Sequence, residues 1–432
     1  MYLRVDGRQF VLRGKPIRLR GVGLGGWLNL EHFMLGLPGT ESEIRAAVEA
    51  AHGRQAAESF WEKYYSVYTS DADLRYVREL GLNSVRIPIN HRLLRDAGED
   101  LATSTAVREL DRVLASARRL GLLAVIDLHS TPGGQNPDWH CDNATGDYGF
   151  WKDSSQRAAV IQLWQALARR YRDDATVAGY DLVNEPCYFE EQLDATLVAF
   201  YEACIAAIRE VDPHHVIFVE GNTYARDFTM FERNLDPQVA YSFHYYPFLQ
   251  LPDDLQHPEV AGRLRDSLHR DVSLSHLLDR LERPVWCGET GHPQHLAQSV
   301  SALGHFLELL EELGISWATW PLKDARSMGL LSPRADSAWM RLAGELTDHW
   351  SFWDVFGEDS LLAAQRHADR SAYYRQLAEV TTQANAHFAR RLGSVSSSDF
   401  RSALESFEHR QCEEQAALVG VIRRITSQHG GS

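Results

Sequence analysis

Short apolar runs alternate with longer amphipathic stretches from residue 17 to about residue 320. Apolar runs of about four to eight residues are typical of buried strands, and apolar residues spaced three and four apart are typical of helices. Helices are predicted over 71–80, 106–120, 156–172, 193–211 and 298–313. Strands are predicted over 17–23, 84–89, 122–129, 178–184, 216–220, 240–244, 284–288 and 315–320.

Eight strands alternating with helices favour a closed (β/α)8 barrel. The strands are apolar on both faces, as expected for parallel strands covered by helices. The alternative is an open sheet with a glycine-rich dinucleotide loop at 21–26, but Trp27 follows that loop instead of a helix start. The predicted fold class is therefore an α/β TIM barrel, with short N-terminal hairpins over 3–12 at its bottom.

The chain beyond residue 350 has a different pattern, helical and charged. Two long helices are predicted over 360–392 and 398–427, separated by a serine-rich segment at 393–397. We therefore predict a catalytic barrel over 1–350 and a helical C-terminal extension over 351–432 that packs on it.

Composition narrows the possible partners. The 432 residues carry a formal net charge of −15, which argues against nucleic-acid and anionic-membrane partners and suits a carbohydrate. No run of about 18 apolar residues occurs, and the first residues lack a basic-then-apolar signal, so a cytoplasmic protein is expected unless a signal has been trimmed. Five cysteines without a CxxC spacing predict neither a disulfide framework nor a zinc site, and no cofactor is expected.

Two short motifs carry the candidate chemistry. Glu185 in Asn-Glu-Pro and Glu289 in Gly-Glu-Thr each close an apolar run. Glutamates that end two barrel strands lie at the same rim, and glycoside hydrolysis needs two carboxyl groups, one to protonate the leaving oxygen and one to attack the sugar. The alternative, that each glutamate only caps the following helix, is less consistent with the residues that accompany them.

Other predicted strands also end in polar or aromatic residues. Six of the eight do so, which predicts one polar pocket at the carboxyl ends of the strands. The residues concerned, besides the two glutamates, are Arg86, His129, Asn184, His244, Tyr246 and Trp320.

The segments 19–27, 127–129, 182–186 and 243–246 resemble glycoside hydrolase family 5, and most closely its exo-β-1,3-glucanase branch. The resemblance covers roughly residues 15–322 and implies a retaining mechanism, with Glu185 as acid/base and Glu289 as nucleophile. It also implies that Arg86, His129, Asn184, His244, Tyr246 and Trp320 complete the active site.

Three further residues bear on substrate length. The resemblance implies that acids at the positions of Glu31 and Asp142, with Asn143, bind the terminal sugar and make the enzyme exo-acting. The loop before Asp142 differs from the glucanase branch by inserted residues that include Trp139 and His140. A β-glucoside is the expected substrate.

Several alternatives stay open. The glycone could be a furanose, the substrate a glycolipid, or the reaction a transglycosylation. A barrel that binds carbohydrate without turnover is a different class, which the intact set of both glutamates, Arg86 and Tyr246 argues against. A metal-dependent hydrolase is disfavoured because no HxH or HExxH motif occurs at a strand end.

Overall fold

The computed structural model describes residues 1–95, 101–350 and 369–429. Its centre is a closed barrel of eight parallel strands, each neighbouring the next along the chain. Eight strands were predicted from the sequence, and the (β/α)8 fold class is confirmed. The barrel strands are β4 (Arg20–Gly23), β5 (Ser84–Asn90), β6 (Leu123–Ser130), β7 (Val177–Asp181), β8 (Val216–Glu220), β9 (Val239–His244), β10 (Val285–Thr290) and β11 (Ser316–Thr319).

Two predicted strands differ from the structure by three residues at one end. The run 17–23 contains a break, because Ile17 ends a separate short strand, Lys15–Ile17, and β4 begins only at Arg20. The run 178–184 is too long, because β7 ends at Asp181. The residues after β7 leave the strand, so Glu185 lies in the loop that follows it.

A three-stranded antiparallel sheet closes the bottom of the barrel. It consists of β1 (Arg4–Asp6), β2 (Gln9–Leu12) and β3 (Lys15–Ile17). Leu3 and Phe10 are buried against strand residues such as Val216 and Trp286. This end is therefore sealed by apolar packing, and the opposite rim is left for the site.

Helices surround the barrel and continue after it. The α-helices span His32–Leu35, Glu41–His52, Arg54–Tyr68, Asp71–Glu79, His91–Arg95, Thr105–Leu120, Gly149–Lys152, Ser154–Tyr171, Asp194–Arg209, Pro247–Gln250, Val260–Asp271, Ser301–Leu313, Ala338–Thr347, Arg370–Leu392, Ser397–Ala403 and Ala416–His429. Short 3-10 or π segments lie at Leu101–Thr103, Trp139–Cys141, Pro252–Asp254, His276–Leu281, Gln294–Ser299, Leu404–Phe407 and His409–Gln411. Searched over the described residues, none of these helices is both long and apolar enough to cross a membrane.

The C-terminal region is helical, but one of its two predicted long helices is wrong. The first is present as Arg370–Leu392, capped by Asp369, while its predicted beginning at 360–368 lies outside the described residues. The second is interrupted by a strand, β13 (Cys412–Glu414), which pairs antiparallel with β12 (Leu331–Pro333). Pairing with a strand distant in sequence has overridden the local helical pattern.

A buried lysine joins this region to the barrel. Lys323 Nζ lies 2.8 Å from Asp73 Oδ1 and donates to the backbone oxygens of Tyr68 and Phe407, each at 2.9 Å. His409 Nδ1 also contacts Asp73, at 3.0 Å. The C-terminal segment therefore packs directly on the barrel, although the domain boundary at residue 350 stays a prediction.

Candidate active site

A cavity of about 160 Å³ opens at the carboxyl ends of the barrel strands. Seven of the predicted site residues line it, drawn from the ends of six different strands or the loops after them. They are Glu31, His129, Glu185, His244, Tyr246, Glu289 and Trp320. Arg86 and Asn184 lie directly beneath this lining, fully buried.

Glu185 has an unusual backbone. Its φ is +47°, a left-handed conformation that residues other than glycine rarely adopt and that costs about 1–3 kcal/mol. Its amide donates to Glu220 Oε2 at 2.6 Å, and its carbonyl accepts from Asn136 Nδ2 at 3.0 Å. These bonds hold the strained turn, so that the carboxyl group points into the cavity.

Glu289 is held by two donors of different kinds. Tyr246 Oη donates to its Oε2 at 2.7 Å, and Arg86 Nη1 donates to its Oε1. Burial raises the pKa of Glu289, but the positive charges of His244 and Arg86 outweigh it and hold that pKa below its usual value. Glu289 is therefore ionised, as an attacking carboxylate must be.

Arg86 lies among four carboxyl groups. Besides Glu289, its guanidinium contacts Asp127 at 3.2 Å, Asp181 at 3.1 Å and Glu220 at 3.1 Å. Burial raises the pKa of Asp127, that of Asp181 to about 6 and that of Glu220 to about 7. The cluster therefore retains protons near neutral pH, which limits the negative charge buried under the pocket.

His244 connects Glu185 to this cluster. Its Nδ1 lies 2.8 Å from Glu185 Oε1, and its Nε2 lies 3.3 Å from Glu220 Oε1. Burial lowers the pKa of His244, but Glu220 and Glu289 outweigh it and raise that pKa well above its usual value. Burial raises the pKa of Glu185, but the hydrogen bond and the positive charge of His244, with smaller contributions from other histidines, together outweigh it and lower that pKa to about 2. In the resting site the shared proton therefore lies on His244.

The two pocket glutamates are close to each other. A carboxylate oxygen of Glu185, one of Glu289 and a ring nitrogen of His244 all lie within 4.8 Å of one another. Retaining glycosidases hold their two carboxyl groups about 5–5.5 Å apart, and inverting enzymes about 6.5–9.5 Å apart. A cation at these three atoms would require a neutral His244 and would face Arg86, so the charge already present disfavours a metal here.

One wall of the cavity is formed by His129 and Trp320. Their rings stack with centroids 5.3 Å apart and planes at 7°. His129 Nδ1 bonds Asp127 Oδ2 at 2.7 Å, while its Nε2 lies 3.8 Å from Glu31 Oε1. Burial lowers the pKa of His129 and raises that of Glu31, so a neutral imidazole faces a carboxyl that favours its protonated form.

One of the two polar groups of the Asn184 side chain, the amide NH2, makes no hydrogen bond within the described structure. Its Oδ1 accepts from Arg86 Nη2 at 2.8 Å, but its Nδ2 is buried and has no partner in the described structure. An unpaired buried donor beside the two carboxyl groups is suited to a ligand hydroxyl.

Asp142 and Asn143 were predicted to bind the substrate, and the structure places both outside the cavity. The carboxylate of Asp142 accepts from Ser42 Oγ at 2.6 Å and Arg92 Nε at 2.6 Å. The side chain of Asn143 bonds backbone atoms of its own loop. The acid that reaches the cavity from this loop is Asp138, whose pKa burial raises to about 6.

Sequence reasoning also missed several residues. Glu220 closes β8 as a glutamate after an apolar run, the same signal that identified Glu185 and Glu289. His140, in the inserted loop, lies with its Nε2 3.3 Å from Glu185 Oε2. The outer cavity is lined by aromatic and basic residues for which strand-end logic offers no signal. These are Phe189, Tyr224, Arg226, Arg370 and Tyr374.

Fold and site together define a class of protein. A (β/α)8 barrel with two adjacent carboxyl groups at its carboxyl rim, one ionised beside an arginine and one sharing a proton, has the components of a glycoside hydrolase.

Comparison with known proteins agrees with this class. A family model described as cellulase (glycosyl hydrolase family 5) matches residues 44–326. A β-xylosidase from Phanerodontia chrysosporium is 35% identical over 390 residues, which cover 85% of this chain and 80% of the relative. A probable glucan 1,3-β-glucosidase A from Aspergillus fumigatus is 27% identical over 53% of this chain and 55% of its own length.

Solved structures agree on the fold. Endoglucanase Cel5A from Thermotoga maritima superposes with a TM-score of 0.54 at 18% identity, over 72% of this chain and 91% of that one. The same enzyme in complex with mannotriose gives a TM-score of 0.53. The chain belongs to glycosyl hydrolase family 5, and it is a glycoside hydrolase.

Proposed function

We propose that this protein is a retaining, exo-acting β-glycosidase that removes one terminal sugar through a covalent glycosyl-enzyme intermediate. The observation that carries the proposal is the pair Glu185 and Glu289. Their nearest oxygens lie within 4.8 Å, and each carboxyl group has its own donors. That proximity favours attack by a carboxylate over attack by a water placed between the two groups.

In the first half of the reaction Glu289 attacks the anomeric carbon. Its charge is maintained by Arg86 and Tyr246. The proton on His244 Nδ1 transfers along the hydrogen bond to Glu185 Oε1, whose two heavy atoms lie 2.8 Å apart, and Glu185 passes it to the departing glycosidic oxygen. The bond between sugar and leaving group breaks as the bond between sugar and Glu289 forms.

In the second half Glu185 acts as a base. Formation of the glycosyl ester removes the negative charge of Glu289, and Glu185, now ionised, takes a proton from water and returns it to His244 Nδ1, which restores the resting site. That water attacks the anomeric carbon and releases Glu289. The free Nδ2 of Asn184 is suited to bond a ring hydroxyl throughout, a contact that strengthens as the ring flattens.

We infer exo action and the type of terminal sugar from the inner part of the cavity and from the relatives. Glu31, Phe33 and Trp320 line it, and we expect them to limit the space beyond one sugar ring. The β-xylosidase relative and the glucan 1,3-β-glucosidase relatives support a β-linked pyranose, either xylose or glucose. A furanoside and transfer to a sugar acceptor are the remaining variants of the same mechanism.

The test is turnover of aryl β-xylosides, β-glucosides and furanosides by the wild type, Glu185→Gln, Glu289→Gln and an exposed control, Glu312→Gln. We expect one β-pyranoside to be preferred, E289Q to lose more than about 10⁴-fold in kcat/KM, and E185Q to lose about 10²- to 10⁴-fold on poor leaving groups. Activity of E312Q should match the wild type.

Stereochemistry tests the mechanism separately. Proton NMR of the first product should show the β-anomer, and azide should restore turnover of Glu185→Ala with a β-glycosyl azide as product. Release of the α-anomer would contradict the retaining mechanism, and release of disaccharides from a β-glucan would contradict exo action. Loss of activity on incubation with EDTA would instead favour metal-dependent chemistry.

A further inference from the structure

Two arginines line the cavity on the same side as Glu185. Arg226 follows β8, and Arg370 is the first residue of the helix Arg370–Leu392, called the rim helix below. Both are partly exposed. The chain has a net charge of −15, so two positively charged side chains at one wall of the cavity differ in sign from the chain as a whole.

A strained loop positions the first of these arginines. Thr223, Tyr224 and Ala225 have φ values of +58°, +57° and +56°, three consecutive left-handed residues. Arg226 Nε donates to Thr223 O at 3.1 Å, and Arg226 forms no ion pair with any acid in the described ranges. Its terminal nitrogens therefore remain available, and such strain is kept where a side chain must be held in place.

This loop is attached to the segment that carries Glu185. The amide of Tyr224 donates to Pro186 O at 3.2 Å, one residue after Glu185. β8 is also the strand next to β7 in the barrel, whereas Glu31 and Trp320 come from the opposite side. Because Glu185 protonates the leaving oxygen, the group that departs lies toward Arg226 and Arg370.

Three aromatic rings complete this wall. Phe189 lies 6.1 Å from Tyr224 and 6.1 Å from Tyr374, and Tyr224 lies 6.2 Å from Tyr374, measured between ring centroids. The guanidinium of Arg370 lies 5.0 Å over the ring of Phe189. Flat apolar faces edged by guanidinium groups suit a planar ligand with an anionic end.

We propose that this wall is an aglycone subsite for an aromatic aglycone bearing a carboxylate, which Arg226 and Arg370 bind. The proposal rests on the proposed function, because it names the leaving group of that reaction. Asp138 also lines the cavity, but burial raises its pKa to about 6, so its negative charge is weakened in mildly acidic solution.

The experiment compares two matched substrates, the 4-carboxyphenyl and 4-carbamoylphenyl β-glycosides of the preferred sugar. They share shape and differ in one charge. We expect the wild type to prefer the carboxylate by about tenfold in kcat/KM, as for a charge-assisted hydrogen bond. Arg226→Gln and Arg370→Gln should each reduce that preference severalfold, and Arg226→Lys should restore part of it.

Arg375→Gln is the control, because Arg375 lies on the rim helix but pairs with Glu190 at 3.1 Å outside the cavity. It should keep the wild-type preference. Equal turnover of both substrates by the wild type, or an unchanged preference in R226Q and R370Q, would overturn the subsite while leaving the glycosidase intact.

A binding measurement tests the subsite even if the proposed function is wrong. If neither glycoside is turned over, the affinities for free 4-hydroxybenzoate and 4-hydroxybenzamide are compared by calorimetric titration. Tighter binding of the benzoate that R226Q abolishes would support the subsite alone. Equal affinities, or no binding of either, would reject it.

Discussion

The two pocket glutamates differ in the hydrogen-bonding partners of their carboxyl groups. Glu185 shares a proton with His244, while Glu289 accepts hydrogen bonds from Tyr246 and Arg86. Environments that separate the pKa values of two carboxyl groups allow one to act as acid and the other as nucleophile.

Removing the hydroxyl of Tyr246 tests the environment of Glu289. Because that hydroxyl donates to the charged carboxylate, Tyr246→Phe should raise the pKa of Glu289 and move the acidic limb of the kcat/KM profile to higher pH. The loss at the optimum should be roughly 10- to 100-fold, as for a hydrogen bond to a charged group.

The matched control is the neighbouring tyrosine. Tyr245→Phe removes a hydroxyl that lies outside the cavity and donates to Ser267 Oγ at 2.6 Å. The pH profile of this variant should therefore follow that of the wild type. An unshifted acidic limb in Y246F would mean that Tyr246 does not set the charge of Glu289.

His140 tests the other carboxyl group. Its Nε2 lies 3.3 Å from Glu185 Oε2, so His140→Gln should impair proton delivery. We expect kcat/KM for a phenyl glycoside, which needs that proton, to fall about tenfold, a part of the full contribution of a general acid. A 2,4-dinitrophenyl leaving group departs without protonation, so kcat/KM for that glycoside should change little. Equal losses on both substrates would indicate a role in binding instead.

Single residues could be predicted where the signal is local. Glu185 and Glu289 each end an apolar run, so their place at the rim follows from strand alternation and barrel geometry. Asp138 was missed in favour of Asp142 because both lie in one irregular loop. Only the loop's hydrogen bonds, such as that from Arg92 to Asp142, decide which acid turns inward.

At the scale of elements, the C-terminal region is tied to the barrel by contacts that are distant in sequence. Lys323 is 1% exposed and joins Asp73 of the barrel to the backbone of Phe407. Burial raises the pKa of Asp73, but Lys323 outweighs it and lowers that pKa to about 2, so the pair is ionic.

Breaking this pair should destabilise the whole protein. Lys323→Met leaves the Asp73 carboxylate buried with His409, and we expect a loss of about 3–5 kcal/mol in the free energy of unfolding. Urea unfolding followed by tryptophan fluorescence measures it. The exposed pair Arg265–Glu312 is the control, and Arg265→Gln should cost less than about 1 kcal/mol. A loss below about 1 kcal/mol in the free energy of unfolding of K323M would show that the Lys323–Asp73 pair is not needed for stability.

The one incorrect element has a related cause. The segment 398–427 has enough helical periodicity to predict one helix, yet Cys412–Glu414 is extended because it pairs with Leu331–Pro333. The five barrel helices predicted from the sequence, by contrast, match the structure to within three residues at each end, since local patterns and caps such as Ser104 or Gly121 set their bounds.

At the scale of the whole molecule, the buried acids under the pocket make stability depend on pH. Burial raises the pKa of Glu220 to about 7 and that of Asp181 to about 6. Between their unfolded values near 4 and these folded values, the native state binds more protons than the unfolded state. Stability therefore decreases as pH rises through this window.

The measurement is Tm against pH between 4.5 and 7.5, since the folded pKa of Glu220 is about 7. We expect the wild type to lose stability across that range and Glu220→Gln to show a shallower decline, because the glutamine has no proton to lose. Glu312→Gln, an exposed substitution, should leave the slope unchanged. A decline in Glu220→Gln as steep as that of the wild type would show that Glu220 is ionised throughout this range.

The outer cavity could not be predicted from the sequence. Its wall combines Phe189, Tyr224 and Tyr374, which come from two barrel loops and a helix beyond the barrel. Nothing in the local pattern around Tyr374 indicates where the rim helix docks, because docking depends on contacts such as Asn385 Nδ2 with Pro38 O at 2.8 Å.

The position of the rim helix in the chain also affects biosynthesis. The last barrel strand ends at Thr319, whereas the rim helix begins at Arg370, about fifty residues later. At about 5–20 residues per second the ribosome needs roughly 3 to 10 s to add them. Throughout that interval a nascent chain can complete its barrel while the aromatic face at Phe189 and Tyr224 is uncovered. The mouth of the pocket is therefore among the apolar surfaces that chaperones would meet on the nascent chain.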